Sequence, residues 1–377
     1  MVVFESEEPP EEFDIDDKYE ISHVICFPVC AGIDKTTGES VAIKKINGVT
    51  SSKTKGRRVF RELQFLREYR NPFIMKLKDV MLPSDRNNFD DIYIVTERME
   101  RSLFEFIEDF IQDDMPNRVS NYNLKLIMNQ LFRGLQYMHA GGVLHRDIKP
   151  DNVLMSGMRV KLCDFGHSRQ KADRMTRFIG TLNYSAPEYF FNPGEHHYEY
   201  GESADIWALG CLFSNLLHPE QDILLRMDDS EGQECNNLHK IAKIIPVPEY
   251  IEVLFSFIPD PGMVLFAVDK LPHTPEKPLR EIFDDVEDKS AIDLLEKMLV
   301  FNPNKRITIQ EALEHDYMKD ITVDVLAKEL SLDDSEVEQL NNWSPCEYVV
   351  DELGSASAEE TTQQLYALCL SFKSGDK

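Results

Sequence analysis

The chain has 377 residues and a formal net charge of −26, enough length to bury a large core and to form two lobes, or two domains, with tails. The acids concentrate at the ends: nine in residues 1–20 against Lys18, and twelve in residues 321–377 against three lysines. That distribution excludes nucleic acid as a general partner, because phosphate backbones demand a basic face, and it reads as solvated, partly disordered acidic tails.

From Phe13 the acidic leader gives way to strand-like alternation, and no glycine occurs before Gly32. Cys26 and Cys30 lie in this stretch, but the seven cysteines form no CxxC pair or Cys/His cluster of the kind zinc needs. An acidic N-terminus is unlike a signal peptide, and no apolar run approaches the ~18 residues of a membrane span. The expectation is a reduced compartment, cytoplasmic or nuclear, without membrane contact. Ser40–Ile46 (SVAIKKI) is rich in β-branched residues and predicts a strand carrying Lys44. Val59, Phe60, Leu63 and Leu66 then predict a helix over 57–69, which places Glu62 18 residues after Lys44. A longer amphipathic helix is predicted over 124–139, with Leu126, Ile127, Leu131, Leu135 and Met138 on its buried side.

That helix delivers the chain to HRDIKPDN, residues 145–152, which sets an acid, an amine and an amide in one short loop. Phosphoryl transfer needs such a set, since its transition state asks mainly for positioning and charge neutralisation. Asp147 is the candidate to orient an attacking hydroxyl. Lys149 can reach a γ-phosphate, and Asn152 can ligate Mg²⁺, which prefers oxygen donors and shares them with substrate phosphates. Asp164-Phe165-Gly166 follows twelve residues after Asn152. In this order and spacing, the octet and the triplet resemble the catalytic segment of eukaryotic protein kinases. Residues 71–103 and 290–318 resemble one branch in particular, the mitogen-activated protein kinases.

The resemblance spans roughly residues 13–320 and implies an α+β, two-lobed fold. A β-rich N-lobe would occupy about 13–100 and a mainly helical C-lobe about 101–320, flanked by acidic segments 1–12 and 321–377. It implies a Ser/Thr protein kinase of intracellular signalling that uses ATP and Mg²⁺, with protein substrates and an upstream activating kinase. On that pattern Lys44 contacts the α- and β-phosphates and pairs with Glu62, and Asn152 and Asp164 hold the metal. Thr96 stands at the gatekeeper position. Glu97 to Met99 form the hinge against adenine, with Val29, Ala42 and Leu154 as walls. Thr181 would bond within the catalytic loop, Asp205 would brace its backbone, and Glu188 would pair with Arg306.

Three departures bear on function. The family's glycine-rich phosphate loop lets the backbone approach the phosphates closely, yet Ser22, Val24 and Phe27 stand where its glycines belong, and Pro28 removes a donor. The activation lip reads Thr176-Arg177-Phe178 in place of Thr-x-Tyr, leaving Thr176 as the single phosphosite, with Arg146 the guanidinium to receive the phosphate. Ser185 replaces the arginine that shapes a substrate-proline pocket. The lost glycines are the one support for a rival reading, a pseudokinase acting as a nucleotide-binding or scaffold protein. Beyond the matched region, 194–200 and 228–234 read as surface insertions. One or two helices are expected after Ile321, and 354–362 is expected to be mobile.

Overall fold

In the computed structural model the strand Ser40–Ile46 is the centre of a five-stranded antiparallel sheet. Described are residues 13, 15–81, 91–112, 119–170, 182–191, 201–219, 224, 225, 227, 233–342 and 357–373. The sheet comprises β1 (Tyr19–Cys26), β2 (Val29–Asp34), β3 (Ser40–Ile46), β4 (Leu77–Met81) and β5 (Ile92–Glu97), in the order β1-β2-β3-β5-β4. Alternation in β3 sorts its side chains: Val41 and Ile43 are buried, whereas Ala42 and Lys44 are half-buried on the other face.

Helix α1 (Lys53–Glu68) begins four residues before the predicted start, with Ser52 as its N-cap. The apolar periodicity begins only at Val59, so the first turn, KTKG, carries no signal of its own. Gly56 has a packing reason, since a Cβ there would meet Val49 O at 2.8 Å and Thr361 Cγ2 at 3.2 Å.

The second lobe opens with β6 (Arg101–Ser102), α2 (Leu103–Gln112) and α3 (Asn121–Ala140), the last extending the predicted 124–139 at both ends. Short strands follow: β7 (Val143–Leu144), β8 (Val153–Ser156), β9 (Arg159–Leu162) and β10 (Arg169–Gln170). Because β7 pairs with β10 and β8 pairs with β9, the loop after β7 and the loop after β9 lie side by side. The first holds the octet and the second holds Asp164. Helices α4 (Pro187–Phe190), α5 (Glu202–Leu217), α6 (Glu234–Ala242), α7 (Ile251–Phe255), α8 (Pro261–Lys270), α9 (Leu279–Ile282), α10 (Lys289–Met298) and α11 (Ile309–Leu313) complete the lobe. Every residue of α5 from Ala204 to Leu217 is buried, and α5 runs through the main core. No helix among the described residues is long and apolar enough to cross a membrane.

The acidic C-terminal segment differs most from expectation. Among the described residues three helices follow Ile321: α12 (Val323–Leu330), α13 (Asp334–Asn341) and α14 (Ala358–Lys373). Leu326 and Leu340 pack with Phe73, Leu126 and Ile321. Leu365, Leu368 and Cys369, spaced i, i+3, i+4, pack on Ile46, Val49, Val59, Phe60 and Leu63. Of residues 354–362, expected to be mobile, 354–356 lie outside the described residues and 357–362 instead cap and begin this helix: Ser357 and Glu360 form a reciprocal cap and Thr361 is only 2% exposed. The acids face outward while a narrow apolar stripe docks, so composition concealed the contact. Residues 194–200, and 228–232 of the second expected insertion, lie outside the described residues, and Glu234 begins α6.

Candidate active site

Lys44 on β3 and Glu62 on α1 meet at 3.1 Å, so the ion pair ties the sheet to its helix. Lys44 is held above its ordinary range, first by the Glu62 charge and with help from Asp164, against the opposing effect of burial. Burial pulls Glu62 upward while Lys44 acts to lower it. Asp164 adopts a left-handed conformation, φ 60° and ψ 73°, with its side chain accepting from Gly166 N. The Phe165 ring anchors that turn, 4.2 Å from Phe65 of α1 and 5.4 Å from His145.

The octet is braced from beneath by α5. Asp205, 0% exposed, accepts from the backbone N–H of His145 at 2.8 Å and of Arg146 at 2.9 Å, and lies 2.8 Å from His139 Nε2. Burial acts to raise the Asp205 carboxyl, but the His139 contact and the backbone donors outweigh it and hold it low. Arg146 has φ 69°, a left-handed conformation that arginine rarely takes, and these bonds hold it there. Within the loop, Asn152 Nδ2 donates to Asp147 O at 2.7 Å and to Asp147 Oδ2 at 2.8 Å. Lys149 Nζ lies 3.3 Å from the same Oδ2. Burial works to raise the Asp147 carboxyl and is overcome by His167, Lys149 and His145, which hold it well below the usual carboxylate range.

The Asn152 amide nitrogen is spent on Asp147, which leaves the side-chain oxygen as the atom that could ligate a cation. No three His, Cys, Asp or Glu side chains among the described residues gather into a metal cage. An amide oxygen and one carboxylate, Asp164, fit a hard divalent cation that takes its remaining ligands from water and phosphate.

The adenine end is built from β5 and the strand pair below it. Thr96 pairs with Ala42 of β3, and Leu154 pairs with Ser102. Val29, Ala42 and Leu154 are all half-buried. Glu97 sends its side chain behind the hinge, accepting from Lys76 N at 2.8 Å and Lys161 Nζ at 2.7 Å. Its role there is structural, and any adenine contact falls to the backbone of the segment through Met99.

The phosphate end departs from the family as expected. Cys26 pairs directly with Val29, so β1 and β2 close in a two-residue turn of Phe27 and Pro28, with Phe27 62% exposed. Ser22 and Val24 lie within β1 itself, and no run of glycine N–H groups overhangs the cleft.

Two residues escaped the sequence reading. Glu105 accepts from Ser102 N at 2.7 Å and Ser102 Oγ at 3.0 Å, bringing a carboxylate to the end of the hinge segment. The Ser-x-x-Glu capping pattern was its signal. His167 Nδ1 lies 3.4 Å from Asp147 Oδ2, and no motif announces it. Glu188 and Arg306 pair as expected, at 2.5 Å through the two terminal guanidinium nitrogens. Ser185 is buried and its Oγ has no hydrogen-bond partner among the described residues. Thr176, Arg177, Phe178 and Thr181 lie outside the described residues.

A protein kinase domain model matches residues 28–318. The chain is 38% identical to Mitogen-activated protein kinase 4 of Oryza sativa subsp. japonica over 315 residues, covering 81% of this chain and 80% of that one. It is 37% identical to Mitogen-activated protein kinase 3 of the same organism over the same shares. Mitogen-activated protein kinase 7 of Arabidopsis thaliana is 36% identical, again over 81% and 80%. The cleft between β3, α1 and the two neighbouring loops thus belongs to a protein kinase, and the chain is a divergent member of the mitogen-activated protein kinase family.

Proposed function

We propose that this Ser/Thr protein kinase transfers the γ-phosphate of Mg²⁺-ATP to a protein hydroxyl with Asp147 as the base. The reading is carried by one observation: Lys44 paired with Glu62, Asp147 held by Asn152 and Lys149, and Asp164 all face one cleft. The substrate oxygen forms a bond to the γ-phosphorus as the bond to the β–γ bridging oxygen breaks. ADP leaves with that electron pair, and the hydroxyl proton passes to Asp147. Lys44 and Lys149 neutralise phosphate charge, and the hinge through Met99 orients adenine between Val29, Ala42 and Leu154. Asn152 and Asp164 would hold Mg²⁺, which, when bound, shields the charge gathering on the phosphates. Residues 13–320 form the catalytic domain and 321–377 an acidic extension, of which α12, α13 and α14 pack against that domain. Its partners are protein substrates and an upstream kinase, in the cytoplasm or nucleus.

The two-residue turn of Phe27 and Pro28 predicts how nucleotide is held. Without backbone donors over the phosphates, the lysines and the metal must supply that grip. Calorimetric titration should show ATP binding that depends strongly on Mg²⁺ and exceeds adenosine binding by less than about tenfold, ~1.4 kcal/mol. Absence of binding by both ligands would overturn the catalytic reading, and rapid transfer with tight Mg²⁺-ATP binding would show that the turn clamps phosphate after all.

Activation should need one phosphate, on Thr176, because Phe178 offers no hydroxyl. Arg146, fixed in place by Asp205, is the guanidinium to receive it. Mass spectrometry of protein activated in cells should find Thr176 phosphorylated, and Thr176→Ala should remain at basal activity. An active form lacking that phosphate would move the switch elsewhere.

A further inference from the structure

His167 is the first residue after Asp164-Phe165-Gly166 and ends the 3-10 turn Phe165–His167. The direction of that turn is set by left-handed Asp164 and by Phe165 wedged against Phe65. It carries the imidazole to the neighbouring loop, where Nδ1 lies 3.4 Å from Asp147 Oδ2. Nδ1 is shielded from solvent and makes no hydrogen bond of standard geometry among the described residues. A buried N–H seeks an acceptor, and the Asp147 carboxylate is the one at hand.

We propose that His167 is a positioning residue for phosphoryl transfer: by donating Nδ1–H to Asp147 Oδ2, it turns the carboxylate so that the other oxygen meets the substrate hydroxyl. This rests on Asp147 being the base. The same Oδ2 receives Asn152 Nδ2 at 2.8 Å and lies 3.3 Å from Lys149 Nζ. Both of those groups belong to the base's own loop and move with it. His167 comes from the other loop, so it couples the base to the segment that carries Asp164. Catalytic hydrogen bonds are commonly long without substrate and tighten in the complex, and 3.4 Å is within that closing range.

An apolar side chain could fill the same space, so the test must separate packing from donation. Asparagine places its amide nitrogen near the position of Nδ1, and glutamine places its own near Nε2. Steady-state kinetics of wild type, His167→Leu, His167→Asn, His167→Gln and Asp147→Asn decide the matter. His167→Leu should lower kcat by roughly tenfold or more, as expected for a misaligned reacting group, with KM for ATP within about twofold of wild type. His167→Asn should recover most of the loss and His167→Gln little of it. Wild-type kcat in His167→Leu overturns the proposal, as does His167→Asn no better than His167→Gln; the latter comparison decides alone if the leucine variant does not fold. An active Asp147→Asn would instead remove the base assignment itself. An inactive Asp147→Asn with an unaffected His167→Leu would remove only the role of His167.

Discussion

Asp147→Asn should lower kcat by about 10²–10⁴-fold, the usual range for loss of a positioned general base, while leaving ATP binding and thermal stability near wild type. Asparagine has the same shape and offers an oxygen to the Asn152 and Lys149 contacts that now fall on Oδ2. It cannot take the hydroxyl proton. The carboxyl of Asp147 is held well below the usual range, so the base is ionised throughout neutral pH and the loss should be uniform there. Asp164→Asn should behave differently. It removes the one carboxylate proposed to hold the metal, so it should weaken Mg²⁺-dependent ATP binding as well as transfer. Single-turnover kinetics with nucleotide titration distinguishes the two. If Asp147→Asn transfers phosphate within about tenfold of wild type, below that range, the assignment of the base is wrong.

Arg306→Met should cost about 3–5 kcal/mol of stability, as removal of one partner of a buried ion pair does. The Arg306 side chain is wholly buried. Besides two bonds to Glu188, it donates to Val300 O at 2.8 Å and Ser203 O at 3.0 Å and stacks on Trp207, 4.9 Å from the ring centre. Methionine leaves the Glu188 carboxylate and those carbonyls without their donor in a dry interior. Because Glu188 lies in the first turn of α4, at the end of the activation segment, activity should fall before the lobe unfolds. Denaturant unfolding measures the effect, and a loss under about 1 kcal/mol, the scale of a surface pair, would mean that the pair is replaceable. Glu188→Leu combined with Arg306→Met should be milder than either change alone, since no unpaired charge remains.

Lys44, Glu62, Asp147, Asn152 and Asp164 were legible because the motifs that carry them, in their order and spacing, resemble those of protein kinases, and strand and helix periodicity placed their carriers within a few residues. What periodicity could not show depends on long-range contact. The first turn of α1 lacks an apolar face of its own, and its glycine makes sense only once Thr361, far along the chain, is seen against it. The stripe Leu365, Leu368, Cys369 is short and surrounded by polar residues, so it read as tail until its partners Val59, Phe60 and Leu63 were in view. His167 belongs to no pattern. Only the pairing of β7 with β10, which brings two loops together, places it on the base.

The docking of α14 on α1 also sets an order of events during synthesis. Domains form as the chain emerges from the ribosome, N-terminal parts first. The sheet and α1 are complete early, but the outer face of α1 stays bare until residues 365–369 have been translated. Until then the nascent chain carries Glu62 on a helix covered on one side only. An exposed apolar face of that kind is a binding site for chaperones, and a helix so held is poorly fixed against Lys44. Phosphotransfer competence should thus wait for α14, after the catalytic loop itself has long been made.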